Sequence, residues 1–158
     1  MVVLFKTLKY PTKTQSLIWF KRRMKVRPFE IAEELKVSRA FVSKSQRIAN
    51  QRIKRLMEHA ASINRVELAK VSPQHGFAFG YCPSHDADTY ITFSPKIGVQ
   101  IWLDHIGDCG SCSQNQECER ILRALADDWG LKITEGVPPT VKAKRLFETI
   151  MGELKWRA

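Results

Sequence analysis

With 158 residues the chain can form one compact domain or two small ones, and 44% hydrophobic residues exclude wholesale disorder. No apolar run approaches the roughly 20 residues that span a bilayer, and Val2-Val3-Leu4-Phe5 is too short for a signal-peptide core; a cytoplasmic protein with no membrane partner is expected. The net charge of +10 is uneven: residues 1–70 carry +12, residues 71–137 carry −5 and residues 138–158 carry +3. A basic first segment beside an acidic middle points to bodies with different partners, and dense positive charge is the footprint of a polyphosphate ligand.

In chain order, residues 2–5 are expected as a short strand or ordered arm. Thr12 or Thr14 caps a first helix running to about Met24, with Leu17, Ile18 and Phe20 apolar. Pro28 suits the first turn of a second helix, where a missing N–H leaves nothing unpaired; that helix ends near Leu35. Ser38 then caps a third helix. Val42, Ala49, Leu56 and Ile63 recur every seven residues, Ile53 and Ala60 add a second seam, and no Pro or Gly interrupts residues 30–71. The pattern predicts a long helix from Ser38 to roughly Lys70, its stripe serving as core or as the seam of a homodimer. Ser72-Pro73-Gln74-His75-Gly76 breaks the helix and marks a domain boundary. Strands are predicted at 77–81, 89–93 and 99–103, rich in aromatic and β-branched residues. A helix follows at 118–129 with Gly130 as its stop, and Pro138-Pro139 opens a last helix carrying Ala143, Leu146, Phe147, Ile150 and Leu154.

The segment from Pro28 to Ser43 has the requirements of a helix-turn-helix. Ala32 is small where two helices must cross closely. Ile31, Leu35, Val37 and Val42 are apolar and can lock the angle, and Ser38 caps the second helix. These residues resemble the archaeal Tfx-like regulators in three pieces: Thr12–Gln15, Glu30-Ile31-Ala32 and Ser38-Arg39-Ala40-Phe41-Val42-Ser43. The resemblance covers about residues 12–65. Lys36 departs from it, standing where a turn glycine is common. Such a unit implies a second helix that enters the major groove of double-stranded DNA and presents its N-terminal residues to base edges. Ser38, Arg39, Ser43, Lys44 and Arg47 are then the DNA-binding candidates, with Arg39 suited to guanine. Lys21, Arg22, Arg23, Lys25 and Arg27 suit phosphates. A three-helix domain that binds protein is the plainer alternative and leaves the +12 unexplained.

All four cysteines lie in the acidic middle. Cys109, Cys112 and Cys118 follow the spacing C-x2-C-x5-C, and Cys82 precedes them as a distant fourth candidate metal ligand. Four thiols in a cytoplasmic chain favour a metal site over a disulfide framework. A helix starting at Cys118 would favour its thiolate through the helix dipole. Tetrahedral zinc and an iron–sulfur cluster both suit thiolates. Cys82 and His85 with Cys109 and Cys112 would make a zinc set of three cysteines and one histidine but leave Cys118 unused. The one-plus-three spacing resembles the [4Fe–4S] sites of WhiB-like regulators and partly those of FNR-type and SoxR-type sensors, in spacing and not in fold. A 4Fe-4S cluster is the preferred cofactor and zinc the alternative. His75, His85 and His105 read as loop residues, Asp127-Asp128 as a solvated pair, and Phe79, Tyr81 and Trp102 as packing residues.

No phosphate-cradling glycine loop, zinc-protease motif or paired nucleophile and base stands in the chain, so no enzyme is expected. The whole reads as an α+β protein: a helix-turn-helix domain over 1–70 with a long third helix, a small β-sheet plus helix module over 71–137 with a four-cysteine metal site, and a C-terminal helix over 138–158. Its expected role is DNA-binding transcriptional regulation, the cluster acting as a redox or ligand switch or the metal as a purely structural part. A protein-interaction adaptor or an electron carrier is the second alternative.

Overall fold

The computed structural model describes residues 8–156; the strand or arm expected at 2–5 lies outside them. The fold is α+β. Among the described residues are five helices, α1 Lys13–Arg23, α2 Pro28–Leu35, α3 Arg39–Ile63, α4 Asn115–Trp129 and α5 Pro139–Glu153, and four strands, β1 Glu67–Ser72, β2 Phe77–Cys82, β3 Ala87–Ser94 and β4 Gly98–Leu103. None of these helices is long and apolar enough to cross a membrane.

Local chemistry sets the helix ends. Thr12 and Gln15 form a reciprocal cap: the Gln15 N–H donates to Thr12 Oγ1 (3.2 Å) and the Thr12 N–H to Gln15 Oε1 (3.0 Å). Pro28 opens α2, and Glu30 Oε2 accepts from the Arg27 N–H at 3.2 Å. Ser38 Oγ accepts from the Phe41 N–H at 3.0 Å to open α3. Between α2 and α3 the chain turns through Lys36, which adopts the left-handed conformation (φ 55°, ψ 47°) and donates its N–H back to Glu33 O.

The third helix is shorter than its sequence pattern predicts. It ends at Ile63, where Asn64 Nδ2 donates to Ala60 O (2.9 Å) and Arg65 turns left-handed (φ 55°). The next residues form β1, an edge strand that the sequence did not announce. Ser72–Gly76 is therefore the turn of a β1–β2 hairpin rather than the break after a helix. No proline or glycine marks the true helix end; the Asn64 side chain caps it and the left-handed Arg65 backbone turns the chain away.

The strands make an antiparallel meander in the order β1-β2-β3-β4. Their alternation sends side chains to two faces, both covered. On one face Ala78, Ile91 and Phe93 pack against Trp19 of α1 and Ala49, Ile53, Met57 and Ala60 of α3. On the other Phe77 and Tyr90 pack against Leu122, Leu125 and Ala126 of α4 and Ala143, Phe147 and Ile150 of α5. A third cluster of Ile18, Ile31, Ala32 and Val42, edged by Val26, Leu35 and Val37, holds α1, α2 and the start of α3 together. The seven-residue stripe of α3 is thus core: Val42, Ala49, Ile53, Leu56 and Ala60 are buried within the chain, and of the stripe only Ile63 is exposed.

Two glycines permit close approaches. Gly76 has φ +64°, and a Cβ there would lie 2.7 Å from Phe93 O and 3.0 Å from the Trp19 ring. At Gly80 a Cβ would lie 2.4 Å from Glu67 O, where β1 carries an irregularity between Leu68 and Lys70. Trp19 Nε1 also donates to Pro73 O at 2.9 Å, tying α1 to the first hairpin.

Candidate nucleic-acid interface and thiol cluster

The start of α3 divides by face. Val42 and Ser45 turn inward, whereas Ser38, Arg39, Ser43, Lys44 and Arg47 are exposed. Arg39, Ser43 and Arg47 are four residues apart and so share one side of the helix, with Lys44 adjoining. None of the three cations has an ion-pair partner among the described residues. The Arg39 guanidinium lies 5.6 Å from the centre of the Phe29 ring, a cation–π contact that sets its position without neutralising it. Phe29 and Phe41 are themselves half exposed beside it, at 49% and 43%. Ser38 is exposed, but its hydroxyl already caps α3.

The basic residues of α1 and the following loop have more varied roles than their sequence suggests. Lys25 is exposed. Lys21 is paired with Glu34 at 2.9 Å and Arg27 with Glu30 at 3.0 Å. Arg22 donates to Val26 O (2.8 Å) and Gln46 Oε1 (3.3 Å), so it braces the turn after α1. Arg23 is half-buried and already engaged by the fold. Its guanidinium lies 4.9 Å from the Trp129 ring centre, 5.3 Å from Phe20 and 5.4 Å from Trp19, and it donates to the backbone carbonyl of Asp128. Burial lowers its pKa, an effect the Asp128 charge opposes.

Asp128 is likewise not part of a solvated pair. It is 1% exposed, accepts from Ser94 Oγ and lies 3.4 Å from Lys96 Nζ. His75, read as a loop residue, stacks on Trp129 with ring centres 6.1 Å apart and contacts Ser72 Oγ through Nδ1 at 2.7 Å. Burial, and then the charge of Arg23, lowers its pKa. The cue to this joint was available only as scattered letters: residues 19, 23, 75, 128 and 129 come from three distant segments.

Cys109 and Cys112 share one turn, and Cys118 follows it in the first turns of the next helix. The Cys112 N–H donates to Cys109 O (3.3 Å), Asn115 Nδ2 to Cys109 O (2.7 Å) and the Gln114 N–H to Cys112 Sγ (3.4 Å). Cys109 Sγ donates to Thr140 Oγ1 at 3.7 Å. The helix begins at Asn115 instead of Cys118, so Cys118 lies within the first turns of α4. Burial raises its thiol pKa, and the neighbouring Cys112 and Cys109 raise it further. That is opposite to the dipole effect expected at a helix start.

Cys82 stands apart. It is 1% exposed in the core on the α3 face, with its Sγ 3.7 Å from Asn64 O and 3.3 Å from His85 Nδ1. Among the described residues no group of three or more His, Cys, Asp or Glu side chains is gathered closely enough to hold a metal ion. Thiols of this kind suit zinc or an iron–sulfur cluster in donor chemistry. Cys82 is set in the core beside His85, while the other three cysteines lie on the Cys109–Cys118 segment.

No family model, no curated protein and no solved structure matches this chain.

Proposed function

We propose that the chain is a sequence-reading regulator that binds double-stranded DNA through a helix-turn-helix formed by α2, the Lys36 turn and α3. The observation that carries this reading is the face of α3 described above. Arg39, Ser43, Lys44 and Arg47 stand exposed together on a helix whose opposite side is locked by Val42 into the Ile18–Ile31–Ala32 cluster. A helix held in this way can present polar groups to base edges while Lys25 and other surface cations neutralise phosphates. The three-piece resemblance to Tfx-like regulators and the +12 of residues 1–70 point the same way.

Fluorescence anisotropy with the full chain tests this. Duplex DNA should bind with an affinity that falls steeply as salt rises, because phosphate contacts release counterions. Binding that is indifferent to salt, or absent at low salt, would overturn the reading. A homodimer remains part of the proposal, but its seam is not the α3 stripe, which is buried within the chain.

For the cysteines we infer a metal or cluster site, iron–sulfur or zinc, that uses Cys109, Cys112 and Cys118 and does not use Cys82. Serine at any of the three should abolish the visible absorbance of anaerobically purified protein, or its zinc content if the protein is colourless. Cys82→Ala should leave both unchanged. Loss of the metal in Cys82→Ala alone would reverse this assignment.

A further inference from the structure

An open-sided cleft of about 650 Å³ lies between the β3–β4 edge of the sheet and α4. Its apolar wall is formed by Tyr90, Trp102, Ile121, Leu125 and Phe147, Cys118 of the proposed thiol site also borders it, and its size is within the range of small-molecule sites. One polar atom in this wall is unexplained by the fold. Thr92 is 2% exposed, lines the cleft, and its Oγ1 has no hydrogen-bond partner. Its cross-strand neighbour Gln100 does not supply one; the Gln100 amide instead donates to Ile97 O at 3.0 Å. A buried hydroxyl without a partner is costly, and a ligand that supplies the missing bond recovers that cost.

The lining also narrows the ligand. No Lys or Arg borders the cleft; the titratable groups at it besides Tyr90 are His85, His105, Cys118 and Asp104, so it carries no fixed positive charge to hold an anion. Trp102, Tyr90 and Phe147 offer ring faces, which favour a flat aromatic body.

We propose that this cleft binds a neutral, planar aromatic molecule whose single polar group hydrogen-bonds Thr92. In the DNA-binding reading, on which this second part rests, occupancy alters duplex affinity. α4 is the shared element. Ile121 and Leu125 line the cleft, while the Asp128 carbonyl and the Trp129 ring at its other end grip Arg23 of α1. A ligand that displaces α4 shifts α1, and α1 shares the Ile18–Ile31–Val42 cluster with the reading helix.

The test uses the full chain, with 2-naphthol and naphthalene as probes at neutral pH and two-dimensional NMR as readout. On the unaltered protein 2-naphthol should bind about three- to ten-fold more tightly than naphthalene, the range one net hydrogen bond gives. Amide shifts should centre on Thr92, Trp102 and Leu125. Thr92→Val keeps the side-chain shape and should fold at least as stably while erasing the preference. Equal affinities on the unaltered protein, as an ordered water on Thr92 would give, overturn the site. So does a preference that survives Thr92→Val, or shifts that centre on the exposed Tyr10 and Leu17 instead. Duplex affinity measured with saturating 2-naphthol reads the coupling separately. A change supports it, and an unchanged affinity overturns the regulatory half while the NMR result still decides the site. Failure to bind duplex under any condition counts against the α3 reading and not against the cleft.

Discussion

Arg23 illustrates how much one side chain can hold. It joins the end of α1 to the end of α4 through three aromatic faces and one backbone carbonyl. Arg23→Ala should destabilise the fold by about 2–3 kcal/mol in urea unfolding, from lost cation–π contacts and an unpaired carbonyl. Arg23→Lys should recover only part of this, because an ammonium cannot stack as a planar guanidinium does. His75 adds a pH response at the same joint. Its pKa is lowered in the folded chain by burial and by Arg23, with Lys25 adding to this and Glu153 opposing it. The unfolded chain therefore takes up the proton first, and stability should fall as the pH drops through and below about 6.5. Melting temperature followed from pH 7.5 to 5 (values on the order of the histidine range) should show a shallower fall in His75→Gln. An unchanged slope would remove His75 as the cause.

At the scale of elements, the turn between α2 and α3 makes the sharpest claim. Lys36 holds a left-handed conformation that costs a side-chain-bearing residue about 1–2 kcal/mol. Glycine removes this strain but adds freedom to the unfolded chain. Lys36→Gly should therefore raise stability by a net amount on the order of 1 kcal/mol or less, and Lys36→Val should lower it. A glycine variant with a lower denaturation midpoint would contradict this account of the turn.

The helices and three of the strands were legible because their signals are local. Thr12 with Gln15, Pro28, Ser38, Gly130 and Pro139 sit at helix ends, and the aromatic runs of β2 to β4 lie between turn residues. The strand β1 was not legible. Its residues continue the polar, helix-compatible composition of α3, and only the Asn64 cap and pairing with β2 make it a strand. The exposed face of α3 at Arg39, Ser43 and Arg47 follows from helical spacing, so its exposure could be expected from sequence. The burial of Cys82 in the core on the α3 face could not. It depends on which face of β2 residue 82 occupies, which register alone decides.

For the whole molecule, the basic and acidic segments share one hydrophobic core. Both faces of a single sheet are covered, one by α1 and α3 from the basic segment and the other by α4 and α5. Any change at the acidic side therefore has a packed route to α3, through the sheet or through Arg23. The central claim is that the exposed start of α3 reads bases. In vitro selection of duplex sites with the full chain, followed by affinity measurements with Arg39→Ala, tests it most directly. The unaltered chain should enrich one motif, and Arg39→Ala should lose about 1–3 kcal/mol on that motif and relax the preference at one base pair. An Arg39→Ala chain that enriches the same motif with the same affinity would contradict it.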